Sequence, residues 1–333
     1  MAKVLRKEEM NQGRASSSDL ATDFGISDDR SLELFLKTLP GVDQVGVEAR
    51  AAELATRSIK KESKSWAIDM AISMVDLTTL EGADTEGKVR SLCNKAHRPD
   101  PTDLGVPHVG AVCVYNDMVG IARSHLDAIG AKEIPVAAVS TAFPSGRASM
   151  EVKLRDTRDA IEAGASEIDM VIDRGAFLSG HYKSVFDEIV AIKKECGGRA
   201  HLKVILETGE LVTYDNVRRA SYLAMIAGAD FIKTSTGKVT PAATAPVVLI
   251  MLHAVRDFFD RTGIQIGVKP AGGIRTSKDA IKQLVLVNEI AGPEWLNPRY
   301  FRIGASALLN DLLMQRMKMR DGYYASSNYV SVE

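Results

Sequence analysis

Apolar and polar positions along the chain fall into two regimes. From residue 31 to about residue 72 apolar side chains recur at helical spacing: Leu32, Phe35, Leu36 and Leu39 share one face before Pro40-Gly41 ends the run. Residues 45–59 and 66–74 continue in the same manner, and together they predict a helical extension that packs on, or plugs, one end of a main domain. Ahead of it, residues 1 to about 30 are polar, with Ser16-Ser17-Ser18 and Ser27-Asp28-Asp29, and are expected to be loosely ordered.

From residue 73 a different rhythm begins. Short β-type runs occur at 73–77, 109–115, 135–140, 167–172, 201–206, 230–234, 265–269 and 300–304, about 25 to 36 residues apart. Each gap carries helix-like sequence, for example Val217, Ala220, Leu223, Ala224 and Ala227. Three of these helices end alike, at Ile129-Gly130-Ala131, Ala163-Gly164-Ala165 and Ala227-Gly228-Ala229, where glycine suits a left-handed cap just before a strand. Eight strands alternating with helices predict an α/β fold, a (β/α)8 TIM barrel. A doubly wound open sheet is the rival, disfavoured because no G-x-G-x-x-G follows the first strand. The expected organisation is a helical extension over 1–65, partly disordered, a barrel over 66–320 and a carboxyl tail over 321–333.

Within the strands the two-residue alternation separates an apolar face from a charged one. Ile168, Met170 and Ile172 form the helix-facing set of the fourth strand, which turns Glu167, Asp169, Val171 and Asp173 inward. By the same alternation Lys203, Ile205 and Glu207 face in on the fifth strand, Phe231 and Lys233 on the sixth, Gly267 and Lys269 on the seventh. The interior is thus asked to hold Asp169, Lys203, Lys233 and Lys269 on four consecutive strands. A lysine at a strand end can simply snorkel to water, and a buried lysine–carboxylate pair can be purely structural. Three amines around one carboxylate are harder to explain by stability, because desolvating each charge costs several kcal/mol. Chemically the crowding is useful: one ammonium disfavours protonation of another, leaving a neutral amine able to attack a carbonyl.

Glycine-bearing loops follow the last three strands: Thr236-Gly237-Lys238, Pro270-Ala271-Gly272-Gly273-Ile274-Arg275 and Gly304-Ala305-Ser306. In barrels the loops after strands seven and eight commonly form a phosphate site, where freed N–H groups and a helix amino terminus suit an anion.

The remaining totals narrow the class. A formal net charge of −1 gives no basis for a nucleic-acid or membrane-surface partner. Cys93, Cys113 and Cys196 lie far apart without C-x-x-C spacing, which fits a reducing compartment better than a disulfide framework or structural zinc. The six histidines show no pair at ligand spacing. Met1–Met10 lacks an apolar signal core, and no run approaches the ~20 residues of a membrane span, so a cytoplasmic location is expected.

With these residues assembled, residues 66–320 resemble the deoxyribose-phosphate aldolases, a class I (Schiff-base) aldolase family. The resemblance rests on Val75-Asp76-Leu77-Thr78-Thr79-Leu80, Ala111-Val112-Cys113-Val114-Tyr115, Glu167-Ile168-Asp169 and Leu202-Lys203-Val204-Ile205-Leu206-Glu207-Thr208-Gly209-Glu210, and on residues 230–238, 269–275 and 302–306. It implies reversible cleavage of 2-deoxy-D-ribose 5-phosphate to D-glyceraldehyde 3-phosphate and acetaldehyde, with no metal and no organic cofactor. It further implies Lys233 as the Schiff-base nucleophile and Lys269 as the ammonium that keeps it neutral. Asp169 would move protons through a bound water, paired or assisted by Lys203. Asp76, Thr78 and Cys113 would lie near the substrate, and Gly237, Lys238, Gly272, Gly273, Arg275, Gly304 and Ser306 at its phosphate. Tyr329, in a tail four residues longer than the family pattern, would fold over the site and help proton transfer; a disordered tail with an idle tyrosine is the alternative. Ala307 replaces a hydroxyl residue common in relatives, which would loosen the phosphate grip. A homodimer is expected. The rivals are another Schiff-base barrel enzyme, transaldolase-like or acting on keto acids, and a non-catalytic phosphosugar sensor.

Overall fold

The computed structural model describes residues 16–60 and 62–323. Eight short strands make one parallel sheet: β1 Val75–Thr78, β2 Ala111–Val114, β3 Val136–Ser140, β4 Glu167–Val171, β5 His201–Ile205, β6 Phe231–Lys233, β7 Gly267–Lys269 and β8 Ile303–Ala305. Neighbours in sequence are neighbours in the sheet, and β8 returns to pair with β1 through Val75↔Ile303 and Asp76↔Gly304. Two parallel bridges, Val268↔Phe301 and Ala271↔Gly304, join the β7 and β8 sides, so the sheet is a nearly closed barrel.

The helices are α1 Ser17–Asp23, α2 Asp29–Thr38, α3 Gln44–Ala55, α4 Glu62–Met74, α5 Glu86–His97, α6 Val119–Ala128, α7 Met150–Glu162, α8 Arg174–Leu178, α9 Tyr182–Cys196, α10 Tyr214–Ile226, α11 Ala245–Thr262, α12 Ser277–Ile290 and α13 Leu308–Asp321. Strand residues such as Ile168, Met170, Leu202 and Val204 are fully buried between sheet and helices, and with the helix faces they form one continuous core. The glycines that end α6, α7 and α10 adopt positive φ, as their left-handed caps require.

Three features depart from the sequence expectations. The first strand starts at Val75 rather than residue 73, because Ala67, Ile68, Ala71 and Ile72 extend a buried helical face up to Met74. Residues 16–30 are not loose. Ser16 and Asp19 form a capping box that starts α1, and Leu20, Phe24 and Ile26 are buried. The Phe24 ring stacks on Phe258 at 5.6 Å, is met edge-on by Phe35 at 5.3 Å, and has the Arg261 guanidinium 3.9 Å from its centroid. Finally, α1–α3 pack against α9, α10, α11 and α12, so this arm lies on the helical shell rather than across a barrel end.

Candidate active site

The register of the parallel strands stacks the inward residues on adjacent rungs: Asp169 beside Lys203, Ile205 beside Lys233, and Lys233 beside Lys269. One carboxylate oxygen, Asp169 Oδ2, accepts from Lys233 at 2.8 Å and from Lys269 at 2.7 Å. The other, Oδ1, accepts from Lys203 at 3.2 Å. Lys269 also lies 2.5 Å from Asp76 on β1. Lys203 makes a further short contact to Glu167. Arg302, just ahead of β8, ties the lower part together, donating to Asp76 at 2.6 Å and to Glu167 at 3.0 Å.

All seven of these side chains are buried. Burial disfavours each charge, so the groups hold one another in their ionic states. Burial opposes ionisation of Asp169, yet Lys203, Lys233 and Lys269 outweigh it and hold the carboxyl well below the usual range. Burial also works against the Lys269 ammonium, but Asp169 and Asp76 raise its pKa well above normal. Lys203 is raised in the same way, against burial, by Asp169, Glu167 and Asp76. Lys233 alone among the three lysines moves down: burial dominates, Asp169 resists, and the Lys269 ammonium adds to the fall. A lysine on this footing is a candidate nucleophile.

Packing fixes the floor beneath these amines. A Cβ on Gly267 would stand 2.3 Å from the Phe231 ring, so only glycine lets that ring lie across the interior. The Lys203 amine sits 6.0 Å from the ring's centroid.

Above Lys233 opens a pocket of about 520 Å³. Its far wall is built from the loops after β6, β7 and β8. Ser235 donates to the Ala271 carbonyl at 2.5 Å, and the Thr234 hydroxyl accepts from the Ala271 amide at 3.0 Å, locking two of the loops together. Gly272 is left-handed at φ 83°, and a Cβ on Gly304 would stand 2.9 Å from that of Ala271. Ser306 and Ala307 line the pocket at the start of α13, and no side chain caps that helix. By contrast α12, which follows Arg275, is closed by a Thr276–Asp279 capping box. The free amino terminus of a 14-residue helix is thus left for an anion.

The sequence-selected residues sort clearly. Lys203, Lys233, Lys269 and Asp169 converge as expected. Lys238, Arg275, Ser306 and the glycines 237, 272, 273 and 304 line the pocket together with Thr78. Lys238 also reaches across the mouth to Glu81 at 2.9 Å. Thr78 donates its hydroxyl to the Asp76 carbonyl at 2.7 Å. Asp76 itself lies inside the charge network rather than on an open wall. Cys113, opposite Thr78 in register, is buried beside Leu80 and Val139, and burial pushes its thiol pKa up. Tyr329 lies outside the described residues.

Sequence reasoning missed Arg302. Its signal was the same as that of Lys203: a charge inside the apolar run Tyr300-Phe301-Arg302-Ile303. It also left Glu207 without a role. That residue adopts a left-handed conformation (φ 53°), and its buried carboxylate accepts from the Thr236 hydroxyl at 2.5 Å, bracing the β6 loop.

Residues 70–313 match the family described as DeoC/LacD family aldolase. Two curated relatives are the deoxyribose-phosphate aldolases of Mus musculus and Homo sapiens. Each is 47% identical over 295 residues, covering 86% of this chain and 92% of its own length. A solved deoxyribose phosphate aldolase from Aeropyrum pernix, described as having a unique tetrameric structure, aligns with a TM-score of 0.59 at 25% identity, over 82% of this chain and 98% of its own. A parallel barrel, a depressed lysine within it and a match across most of its length agree: this chain belongs to the DeoC/LacD family of aldolases.

Proposed function

We propose that this protein reversibly cleaves 2-deoxy-D-ribose 5-phosphate to D-glyceraldehyde 3-phosphate and acetaldehyde through an imine on Lys233. The observation that carries the mechanism is the sharing of Asp169 Oδ2 between Lys233 and Lys269, with only Lys233 depressed.

The neutral Lys233 amine attacks C1 of the open-chain sugar, and loss of water leaves a protonated imine. A proton leaves the C3 hydroxyl to a water held by Asp169, which passes it on to solvent. Asp169 polarises that water and does not store the proton, because its own pKa is held far down. The C2–C3 electron pair flows into the imine, D-glyceraldehyde 3-phosphate departs, and an enamine remains. A proton returns to C2, with Tyr329 assigned to that step, and water then releases acetaldehyde and the free amine. Lys203 steadies Asp169 from the opposite oxygen. Thr78 and Cys113 are assigned to the wall near the substrate, and Asp76 holds Lys269 in place. The phosphate takes the free helix terminus, the glycine loops, Ser306, Arg275 and Lys238, displacing Glu81 from the last.

This reading includes a role in deoxyribose phosphate breakdown in the cytoplasm and assembly as a homodimer, which light scattering on the purified protein tests. No helix among the described residues is long and apolar enough to cross a membrane. The direct test of function is the appearance of both aldehyde products from 2-deoxyribose 5-phosphate. Turnover of keto acids with none of the phosphosugar would overturn the proposal.

A further inference from the structure

Around Lys233 the charged groups can be counted strand by strand. Asp76 comes from β1, Glu167 and Asp169 from β4, Lys203 from β5, Lys269 from β7 and Arg302 from the entry to β8. β2 contributes the Cys113 thiol, kept neutral by burial, and β3 turns only Ala137 and Val139 to the same apolar cluster. Glu207, at the end of β5, is engaged by Thr236 and stands apart. The network without Lys233 therefore has three carboxylates and three cations, each in contact with a partner of opposite sign. It is balanced. Protonating Lys233 places one surplus positive charge in a buried network, where no further carboxylate among the described residues contacts it.

Asp169 contacts Lys233, and Lys203 and Lys269 contact Asp169, whereas Arg302 and Glu167 touch neither Lys233 nor Asp169 and meet the network only through Asp76 and Lys203. Glu167 lies two residues before Asp169 on β4, at the start of the strand, and Arg302 lies just ahead of β8. We propose that the Arg302–Glu167 pair is a tuning element for the aldol reaction. Its two charges act on Lys233 with opposite signs, Arg302 disfavouring the ammonium and Glu167 favouring it, so that each offsets the other and the interior stays balanced without either touching substrate. This rests on the imine reading of Lys233 and adds remote positioning residues to it.

The signs follow from charge alone. Removing the Arg302 charge leaves the network one negative, which favours the Lys233 ammonium, so activity that needs the neutral amine appears only at higher pH. Removing the Glu167 charge leaves it one positive and moves the onset of activity to lower pH. Each shift is roughly one pH unit for a charge acting across a largely dry interior.

The experiment is the pH dependence of kcat/KM for 2-deoxyribose 5-phosphate cleavage, which reports the free enzyme. It is run on the wild type, Glu167→Gln, Arg302→Met, Arg302→Lys and the double variant Glu167→Gln/Arg302→Met. The acidic limb is expected to move down for Glu167→Gln and up for Arg302→Met. It should stay in place for Arg302→Lys, and return to the wild-type position in the double variant, which removes one charge of each sign. Should one single variant fail to fold, the other together with the double variant decides. Limbs that all coincide while rates merely fall would show a packing role and overturn the proposal, as would shifts of the same sign. A wild-type assay with borohydride and acetaldehyde separates the two levels. An adduct on Lys233 with unmoved limbs sinks only the tuning role, and no adduct sinks the imine reading beneath it.

Discussion

Two places in this molecule bury a lysine against a carboxylate, and they are built differently. On the outer shell, Lys153 of α7 meets Glu188 of α9 at 2.7 Å, with both side chains nearly inaccessible. One amine faces one acid, and burial pushes the Glu188 carboxyl up despite Lys153. Inside the barrel three lysines, an arginine and three carboxylates interlock, and Lys233 must share an oxygen that Lys269 already uses. Lysine burial is common to both sites. Imbalance is present only in the second, and it is imbalance that frees an amine for chemistry.

The largest effect expected from breaking this contrast is on Lys233. Lys233→Leu should lower kcat by roughly 10⁴-fold or more, since the nucleophile is gone. It should leave the melting temperature equal or higher, because a poorly compensated buried amine has been replaced by an apolar chain. A steady-state assay and a thermal melt on one preparation check both.

Next comes Lys269→Met, expected to cost about 10² to 10³ in kcat/KM. It should also move the acidic limb of the pH profile upward, because the ammonium that lowers the Lys233 pKa is lost. A rate loss with an unmoved limb would mean that Lys269 acts only by packing.

Lys153→Met should do the reverse. We expect about 3 kcal/mol of lost stability near neutral pH and an unchanged kcat, read by denaturant unfolding and by assay.

The two sites should also answer to acid with opposite signs. Asp169 and Asp76 have folded-state pKa values held below the ordinary 3.8. They contribute stability above about pH 4 and lose it as the pH falls through their folded values. Glu188 is raised above 4.5, so its contribution is complete below that value and fades as the pH rises through its folded pKa. The deficit of Lys153→Met should therefore shrink on acidification, whereas Asp169→Asn should flatten the wild-type loss of melting temperature below about pH 4. Scans at several pH values distinguish the two slopes.

The smallest effect belongs to the mouth. Arg275→Met should raise KM for the phosphorylated sugar by about tenfold with little change in kcat, as for binding that is equal in ground and transition states.

Much of this was legible in the sequence because a strand's alternation is local. Once Ile168, Met170, Leu202 and Val204 are assigned to the helix side, Asp169 and Lys203 must point inward. Glycine ends to helices are equally local. The charge balance was not legible, because Glu167 on β4 and Arg302 beside β8 meet across the barrel, 135 residues apart. Without that contact the interior looks like three amines around one acid, an overstated surplus. The order of residues 16–30 was hidden for the same reason. Leu20 and Phe24 are too few to announce a helix, and the ring that receives Phe24 belongs to Phe258. Long-range partners decided both cases.

The central claim is that Lys233 is the free amine. The most direct measurement is intact-mass analysis and peptide mapping after incubation with 2-deoxyribose 5-phosphate and borohydride. A single reduced adduct on Lys233, absent in Lys233→Leu, is the predicted result. No adduct, or one on Lys203 or Lys269, would contradict the account.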